Sequence, residues 1–189
     1  VLPTGYDSKR FYPRDREACR RRLDLPLNKR IILSIGSLVK VKGHMNLIHA
    51  IGELEGRAKD ILCIILGEGN LRNELQKEIK RCGLEKVVWL VGRKPREELP
   101  LWINACDIFV LASLNEGNPT VMLEALDCGI PFISTNVGGV SEIITSNEYG
   151  LICRSNDSTD LCNRLFEALN REWNRDTILN HALDYEWNK

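Results

Sequence analysis

Six short apolar runs are the feature that most constrains the fold of this 189-residue chain. Each run is followed by a polar loop and then by a segment whose apolar residues recur at helical spacing. Because the runs are apolar at nearly every position, we expect strands buried on both faces, as in a parallel sheet covered by helices. The predicted strands are 31–35, 61–66, 87–91, 108–112, 132–135 and 151–153, and the predicted helices are 45–54, 70–82, 97–105, 119–128, 140–145, 158–173 and 176–185. The pattern predicts an α/β fold with a doubly wound, Rossmann-like parallel sheet of about six strands and helices on both faces.

The overall charge gives no reason to expect a nucleic-acid partner. Lysines and arginines number 26, as do aspartates and glutamates, so the formal net charge is zero. A nucleic-acid-binding domain normally shows a basic excess or a basic stripe. The run Arg20-Arg21-Arg22 is interpreted here as a solvated helix face rather than as a binding site.

The cysteines and histidines indicate neither a disulfide framework nor a metal site. The seven cysteines are odd in number, form no C-x-x-C pair and mostly lie inside apolar runs, which is typical of reduced thiols in a cytoplasmic protein. The three histidines, His44, His49 and His181, show no metal-ligand spacing. No apolar run approaches the ~20 residues that a membrane-spanning helix needs.

The chain begins at Val1 rather than at a methionine, and its length suits one domain with a sizeable core. We therefore interpret residues 1–189 as a single domain taken from a longer protein.

In a doubly wound sheet, ligands bind at the carboxyl ends of the strands. The loops expected there are 36–42, 67–69, 92–94, 113–118 and 136–139, and they contain nearly all the residues whose chemistry suggests a site. Gly67-Glu68-Gly69 starts like a dinucleotide fingerprint, but Arg72 stands where the third glycine would be. We interpret this segment as a turn at the floor of the cleft rather than as a nicotinamide site.

Two glutamates separated by seven residues, Glu116 and Glu124, flank the start of the fourth predicted helix. Asn118 suits an N-cap and Pro119 a first helical position, so the free backbone N–H groups of the next three residues form an anion site: Thr120, Val121 and Met122. Glu124 then lies roughly 7–8 Å further along the helix axis. Carboxylates accept hydrogen bonds from hydroxyl groups, and a diphosphate between two polyhydroxylated rings would suit this arrangement. That ligand is a nucleotide sugar.

The glutamate pair has two other interpretations. A hydrolase using the pair as acid and base is disfavoured, because the helix start stabilises both anions and opposes the raised pKa that the acid needs. Alternatively, Glu116 only caps the helix and Glu124 only lies at the surface.

Basic residues in two other loops are candidate ligand contacts. Gly36 ends the first strand, where a glycine lets the backbone approach a ligand, and Lys42 can reach a phosphate from the same loop. Backbone groups of Gly92, Arg93 and Lys94 can hydrogen-bond to the edge of a base. Solvated surface lysines and a plain basic turn are the alternatives for these two loops.

Taken together, these residues resemble the carboxy-terminal domain of the large retaining glycosyltransferase family four, glycosyl transferases group one, which has the two-domain GT-B architecture. The resemblance covers nearly the whole chain. It rests on the Glu116–Glu124 motif and on the following segments: Pro3-Thr-Gly-Tyr-Asp7, Gly36…Lys42-Gly43, Gly67-Glu-Gly69, Leu90-Val-Gly92, Ala105-Cys-Asp107, Gly129-Ile-Pro131 and Gly138-Gly139…Glu142.

The resemblance implies roles for the site residues. Lys42 is expected to bind the donor diphosphate and to stabilise the leaving nucleotide, and Glu116 to contact the transferred sugar. Glu124 is expected to bind the ribose hydroxyls. The donor site implied as a whole comprises Gly36, Ser37, Lys42, Gly92, Arg93, Lys94, Glu116, Gly117, Asn118, Thr120, Val121 and Glu124.

The donor is expected to be a UDP- or GDP-sugar. Because the chain has no Asp-x-Asp pair to hold a divalent cation, we expect no metal and no cofactor.

One position departs from the family pattern. The family usually has an arginine directly after the glycine of the first loop, where this chain has Ser37, so a bidentate phosphate contact is lost. Ser37 favours one alternative function, a non-catalytic nucleotide-sugar-binding module. Two further alternatives are a nucleotide-sugar epimerase of GT-B type and a purely structural α/β domain.

The family's amino-terminal domain, which carries the acceptor site, and its final crossing helix lie outside this sequence. We therefore expect this domain to bind donor without transferring it. The parent enzyme is expected in the cytoplasm, and peripheral association with the inner membrane surface stays open.

Overall fold

The computed structural model describes residues 10–117 and 120–185 of the chain. Six strands form one parallel sheet in the order β3-β2-β1-β4-β5-β6, which confirms the predicted fold class. The strands are β1 Arg30–Ile35, β2 Ile61–Leu66, β3 Val88–Gly92, β4 Ile108–Leu111, β5 Phe132–Thr135 and β6 Gly150–Cys153. The helices are α1 Arg16–Arg22, α2 His44–Glu55, α3 Arg72–Arg81, α4 Leu99–Ala105, α5 Thr120–Asp127, α6 Val140–Ile143, α7 Ser158–Leu169 and α8 Arg175–Ala182, with short 3-10 turns at Lys40–Lys42 and Leu183–Tyr185.

The apolar strands separate two hydrophobic cores, one on each face of the sheet. All six residues of β2 are buried, so its alternate side chains enter the two cores in turn. Leu62 and Ile64 join the core formed with α1, α4, α5, α6 and α8, whereas Cys63 and Ile65 join the core formed with α2, α3 and α7. Burial on both faces is the reason why the strands have no polar alternation in the sequence.

The order of the strands reverses beside β1, which pairs with β2 on one side and with β4 on the other. The chain therefore leaves the carboxyl ends of β1 and β4 toward opposite faces of the sheet, and a crevice opens between the two loops. This switch point is the place where the fold itself provides a ligand site.

Several element boundaries differ from those predicted. β3 lies one residue later than expected, where an irregularity in register pairs Leu66 with Gly92. The predicted helix 158–173 ends at Leu169, because Asn170 caps it and the Trp173 indole N–H folds back to donate to the carbonyl of Ala168. Asn118 and Pro119, the predicted cap and first residue of α5, lie outside the described residues, as do residues 1–9 and 186–189.

Arg20 corrects the prediction of a solvated arginine face on α1. Its side chain is only 6% exposed and lies 2.7 Å from Asp107, with Nη2 donating to Oδ2. The same guanidinium donates to three backbone carbonyls: Leu27, Lys29 and Ala105. Burial is tolerated because these partners satisfy the charge and the N–H groups together. Arg21 and Arg22 are exposed, as predicted.

All seven cysteines are free thiols, and six of them are buried. The longest helices in the described part of the chain, α2 and α7, have 12 residues each, and none is long and apolar enough to cross a bilayer.

Candidate functional site

An open cleft of about 510 Å³ lies at the carboxyl ends of β1, β2 and β3, against the side of α5. Most of the loops singled out from the sequence contribute to it. Its lining residues are Ile35, Gly36, Ser37, Leu66, Gly67, Glu68, Arg93, Lys94, Arg96, Leu99, Val121 and Glu124. Six of the twelve predicted donor-site residues line this cleft: Gly36, Ser37, Arg93, Lys94, Val121 and Glu124.

The loop after β1 packs directly against the backbone of the loop after β4. Gly43 has a φ of +64°, and a Cβ built on it would lie 1.9 Å from the carbonyl oxygen of Ala112. The N–H of Leu114 donates to the carbonyl of Val41 at 2.8 Å. Only glycine fits at position 43, and its presence brings the adjacent Lys42 to the β4 loop.

Lys42 meets Glu116 beside the cleft. Lys42 Nζ lies 2.6 Å from Glu116 Oε1, and the Ser113 hydroxyl donates to the same oxygen at 2.7 Å. The Glu116 side chain is 8% exposed and that of Lys42 28% exposed. Thr135 fixes Ser113 in turn, because its hydroxyl donates to the Ser113 carbonyl at 2.5 Å. The carboxylate is therefore neutralised, partly desolvated and held in one orientation.

Glu124 provides the second carboxylate, from the first turns of α5. It is buried apart from a small exposed part, and Arg96 Nη2 lies 3.3 Å from its Oε1. Burial raises the pKa of the Glu124 carboxyl, whereas the positive charge of Arg96 lowers it. Val121, one turn earlier on α5, lines the cleft, and Thr120 begins the described part of the helix.

The loop after β2 forms the floor of the cleft, as predicted. Gly67 crosses directly over the first loop, since a Cβ there would lie 1.9 Å from the carbonyl oxygen of Gly36. The Gly67 N–H donates to the carbonyl of Gly92 at 3.0 Å. Gly92 is thus a buried positioning glycine behind the cleft wall rather than a lining residue.

Arg93 and Lys94 form the wall on the β3 side. Lys94 Nζ lies 5.4 Å from the centre of the Trp102 ring, and the ammonium group faces the aromatic surface. Because the Lys94 side chain faces Trp102, the backbone groups between β3 and α4 remain accessible from the cleft. A planar ligand could lie against them.

The Gly138–Gly139 loop contacts the backbone of the Glu116 loop. Gly138 has a φ of +55°, and a Cβ on it would lie 2.1 Å from the carbonyl oxygen of Glu116. Gly117 itself is exposed, and among the described residues that are not its neighbours in the chain none comes within 4 Å of a Cβ built on it. Glu142, in the first turn of α6, is exposed, and a carboxylate there interacts favourably with the positive end of the helix dipole.

Three polar residues at or beside the cleft were not predicted as site residues. Ser113 orients Glu116, Arg96 holds Glu124, and the buried His44 lies with its Cε1 3.8 Å from the would-be Cβ of Gly36. Burial, and secondarily Lys42, lower the pKa of His44 to about 4, so its ring is neutral at pH 7. Ser113 lies only three positions before Glu116, and His44 directly follows Gly43, so both were within reach of the sequence pattern. Arg96 meets a side chain 28 positions away, which local spacing does not reveal.

Comparisons with known proteins identify the family to which this chain belongs. The model of the family described as "Glycosyl transferases group 1" matches residues 15–184. A D-inositol 3-phosphate glycosyltransferase of Corynebacterium jeikeium is 32% identical over 175 residues, covering 87% of this chain and 42% of that protein. The chain spans between 37% and 48% of the lengths of such curated relatives, which is about half or less.

Solved structures share the architecture. The C-terminal domain of the group 1 family protein LpcC from Francisella tularensis superposes with a TM-score of 0.84, at 28% identity and with 96% of each chain covered. Anabaena HepE, solved with UDP and glucose, gives a TM-score of 0.85 at 22% identity over 98% of this chain and 51% of its own. At that identity the likeness to HepE concerns the fold.

Proposed function

This chain belongs to the glycosyl transferases group 1 family, and on that premise we propose that it is the donor-binding half of a two-domain GT-B glycosyltransferase. Its ligand is a nucleoside-diphosphate sugar, with a UDP- or GDP-sugar as the first choice. The observation that carries the proposal is the placement of two carboxylates of low exposure at one edge of the sheet. Glu124 lies inside the cleft, and Glu116 lies beside it, paired with Lys42. The match to about half the length of the relatives supports the assignment to one half of the enzyme.

The nucleoside occupies the 510 Å³ cleft in this proposal. The base lies against the backbone at Arg93 and Lys94, and Glu124 accepts hydrogen bonds from the ribose hydroxyls. The diphosphate lies at the start of α5, near the N–H groups of Thr120 and Val121, where the helix dipole favours an anion. Asn118, assigned to the same phosphate contacts, falls in the part of the chain without a described position.

Lys42 and Glu116 are proposed to stabilise the charges that develop during glycosyl transfer. As the bond from the anomeric carbon to the diphosphate oxygen breaks, its electron pair leaves with the nucleotide, and negative charge grows on that oxygen. Lys42 and the start of α5 stabilise this charge, a type of contribution worth several kcal/mol in a preorganised site. Glu116, close to the developing cation on the sugar, stabilises it electrostatically. We propose that transfer retains the anomeric configuration and needs no metal.

The domain is proposed to bind donor but to transfer nothing alone, because the acceptor site belongs to an amino-terminal domain. The acceptor would be a glycan or a lipid-linked glycan, reached in the cytoplasm or at the inner membrane surface. The partner is then that other domain of the same enzyme rather than a nucleic acid.

A second candidate rests on Ser37. This exposed side chain lines the cleft where the family usually has a phosphate-binding arginine. A non-catalytic nucleotide-sugar-binding module would keep Glu124 and lose phosphate contacts in this way. A GT-B epimerase would bind the same ligand. Formation of epimerised or hydrolysed donor by the full-length protein would identify it.

Calorimetric titration of the chain with UDP, GDP and ADP, without divalent metal, tests the proposal. Binding of one nucleotide, weakened about tenfold or more by Glu124→Gln and by Lys42→Ala, is expected. The matched controls Glu85→Gln and Lys80→Ala change exposed residues away from the cleft and should bind as the unmodified chain does. A folded chain that binds none of the three nucleotides, or binding insensitive to both site substitutions, would count against the donor site. In the full-length protein, donor binding without transfer or hydrolysis would favour the non-catalytic module.

A further inference from the structure

The Glu124 carboxylate has a single hydrogen-bonding partner among the residues whose positions are described, and that partner is Arg96. The two side chains differ sharply in exposure, 6% for Glu124 and 55% for Arg96. A buried carboxylate is thus paired with a cation that reaches it from the solvent side of the cleft. This pair lies in the cleft assigned to the nucleoside, where Arg96 and Glu124 both belong to the lining.

Other charged groups near Glu124 are engaged elsewhere or lie further away. Glu68, across the cleft, is paired with Arg72 at 3.0 Å. Lys94 faces the Trp102 ring. Arg93 lines the wall without an ion pair to Glu124, and Lys42 is bonded to Glu116. On the packed side, Asp127 follows one turn later on α5, and Arg175 of α8 donates to the Cys128 carbonyl.

The electrostatic balance at Glu124 therefore depends on Arg96. Burial raises the pKa of the carboxyl, and the charge of Arg96 is the opposing influence. Without that charge, the carboxyl would take up its proton at a higher pH than it does beside Arg96. A protonated carboxyl has lost acceptor capacity, whereas the carboxylate has about four lone-pair sites, of which Arg96 uses one.

The loop that carries Arg96 has a defined conformation. The N–H of Glu98 donates to the carbonyl of Pro95 at 3.0 Å, and the N–H of Leu99 to that of Arg96 at 3.3 Å. These bonds close a turn into α4, so the guanidinium starts from a fixed backbone position. Leu99 lines the cleft beside it.

We propose that Arg96 is a positioning residue that keeps the Glu124 carboxylate ionised and oriented to accept both hydroxyls of a ribose. The assignment of the ribose rests on the proposed function, whereas the effect of Arg96 on Glu124 follows from the contact between the two side chains alone. Arg96 acts through Glu124 and does not itself contact the phosphates.

The ligand-free test is an NMR titration of the Glu124 carboxyl carbon in the unmodified chain and in Arg96→Met, which keeps the length of the side chain and removes its charge. The Glu124 midpoint is expected to rise by about one pH unit in Arg96→Met and to return most of the way in Arg96→Lys. Arg93→Met, a charge removed from the same loop without a contact to Glu124, is the control and should move the midpoint far less. An unchanged midpoint in Arg96→Met would overturn the inference.

The ligand test compares the nucleoside diphosphate selected in the titration above with its 2′,3′-dideoxy form, between pH 8 and pH 5.5. The difference between the two ligands isolates the hydroxyl contacts, because phosphate ionisation near pH 6 affects both alike. On acidification, the preference for the ribose ligand should fall further in Arg96→Met than in the unmodified chain, by up to about tenfold for a midpoint one pH unit higher. Equal weakening of both ligands at every pH would show a phosphate contact instead and would overturn the inference.

Failure of the proposed function gives a different result. If the unmodified chain binds both ligands equally, Glu124 does not bind the ribose, and the purpose assigned to Arg96 falls with it. The carboxyl titration would still report whether Arg96 controls the ionisation of Glu124.

Discussion

Lys42 Nζ and Glu116 Oε1 lie 2.6 Å apart, although 74 positions separate the two residues in the sequence. The contact joins the loops that follow β1 and β4, the two strands at which the sheet reverses its order. The ion pair therefore links the two loops at the switch point of the sheet. A nucleotide sugar is expected to bind at this point.

The first prediction concerns the strength of that pair. In a double-mutant cycle of Lys42→Met and Glu116→Gln, the free energy of unfolding should show a coupling of roughly 1–2 kcal/mol, since the pair is partly desolvated. Urea denaturation of the four proteins measures it. The exposed pair Arg164–Glu167, at 2.9 Å, is the matched control and should couple by no more than about 0.5 kcal/mol. Equal coupling in the two pairs would mean that the site ion pair is no stronger than a surface one.

A second prediction compares two glycines with similar backbone conformations. Gly43→Ala should lower the free energy of unfolding by roughly 2–4 kcal/mol and weaken nucleotide binding, because the new Cβ cannot occupy the space of the Ala112 carbonyl. Gly83 has a φ of +70°, but a Cβ added there meets no non-neighbouring atom within 4 Å in the part of the chain that the structure describes. Gly83→Ala therefore has only the cost of the conformation, about 1–2 kcal/mol. Chemical denaturation and calorimetry test both variants. The prediction fails if Gly43→Ala is no more harmful than Gly83→Ala.

A third prediction separates two neighbouring arginines of α1. Arg20→Met should destabilise the fold by about 2–3 kcal/mol, because Asp107 and three backbone carbonyls lose their common partner. Arg21→Met removes an exposed pair with Glu17 and should cost less than about 0.5 kcal/mol. Thermal and urea unfolding provide the comparison. Similar losses in both variants would contradict the structural role assigned to Arg20.

The fourth prediction concerns the acid sensitivity of His44. The pKa of this buried ring is about 4 in the folded protein, against an ordinary value of 6.5 when unfolded. Between these values the unfolded chain binds a proton that the folded chain does not, so stability falls as the pH is lowered from 6.5 toward 4. Between pH 7.5 and pH 5, the unmodified chain should lose about 2 kcal/mol more than His44→Gln does. Identical pH slopes in the two proteins, measured by urea denaturation at each pH, would refute the assignment.

The sheet was predictable because each strand is apolar at almost every position, and burial on both faces leaves that signature within a few neighbouring residues. β3 was placed one residue early, since its boundary depends on the register irregularity where Leu66 pairs with Gly92 and not on composition. Loop positions followed from the strand ends, and the predicted Gly36, Ser37, Arg93, Lys94 and Glu124 do meet at one cleft.

The partners of charged residues were not predictable in the same way. Arg20 looked like part of an exposed basic run, and its burial depends on Asp107, 87 positions away. Arg96 was visible as one more basic residue of a loop, and only the fold brings it to Glu124, 28 positions later. Local spacing predicts which edge of the sheet a side chain occupies, whereas its partner depends on which loops the strand order brings together.

The close contacts of Gly43, Gly67 and Gly138 with neighbouring carbonyls have a consequence for how such a site diversifies. Adjacent loops of the cleft touch through main-chain atoms, so part of their spacing is set without the side chains that line the cleft. A position such as Ser37 can then exchange one side chain for another without displacing its neighbours. Single substitutions at such a position are therefore expected to change which groups the cleft offers, while the main-chain contacts keep Glu116 and Glu124 in place.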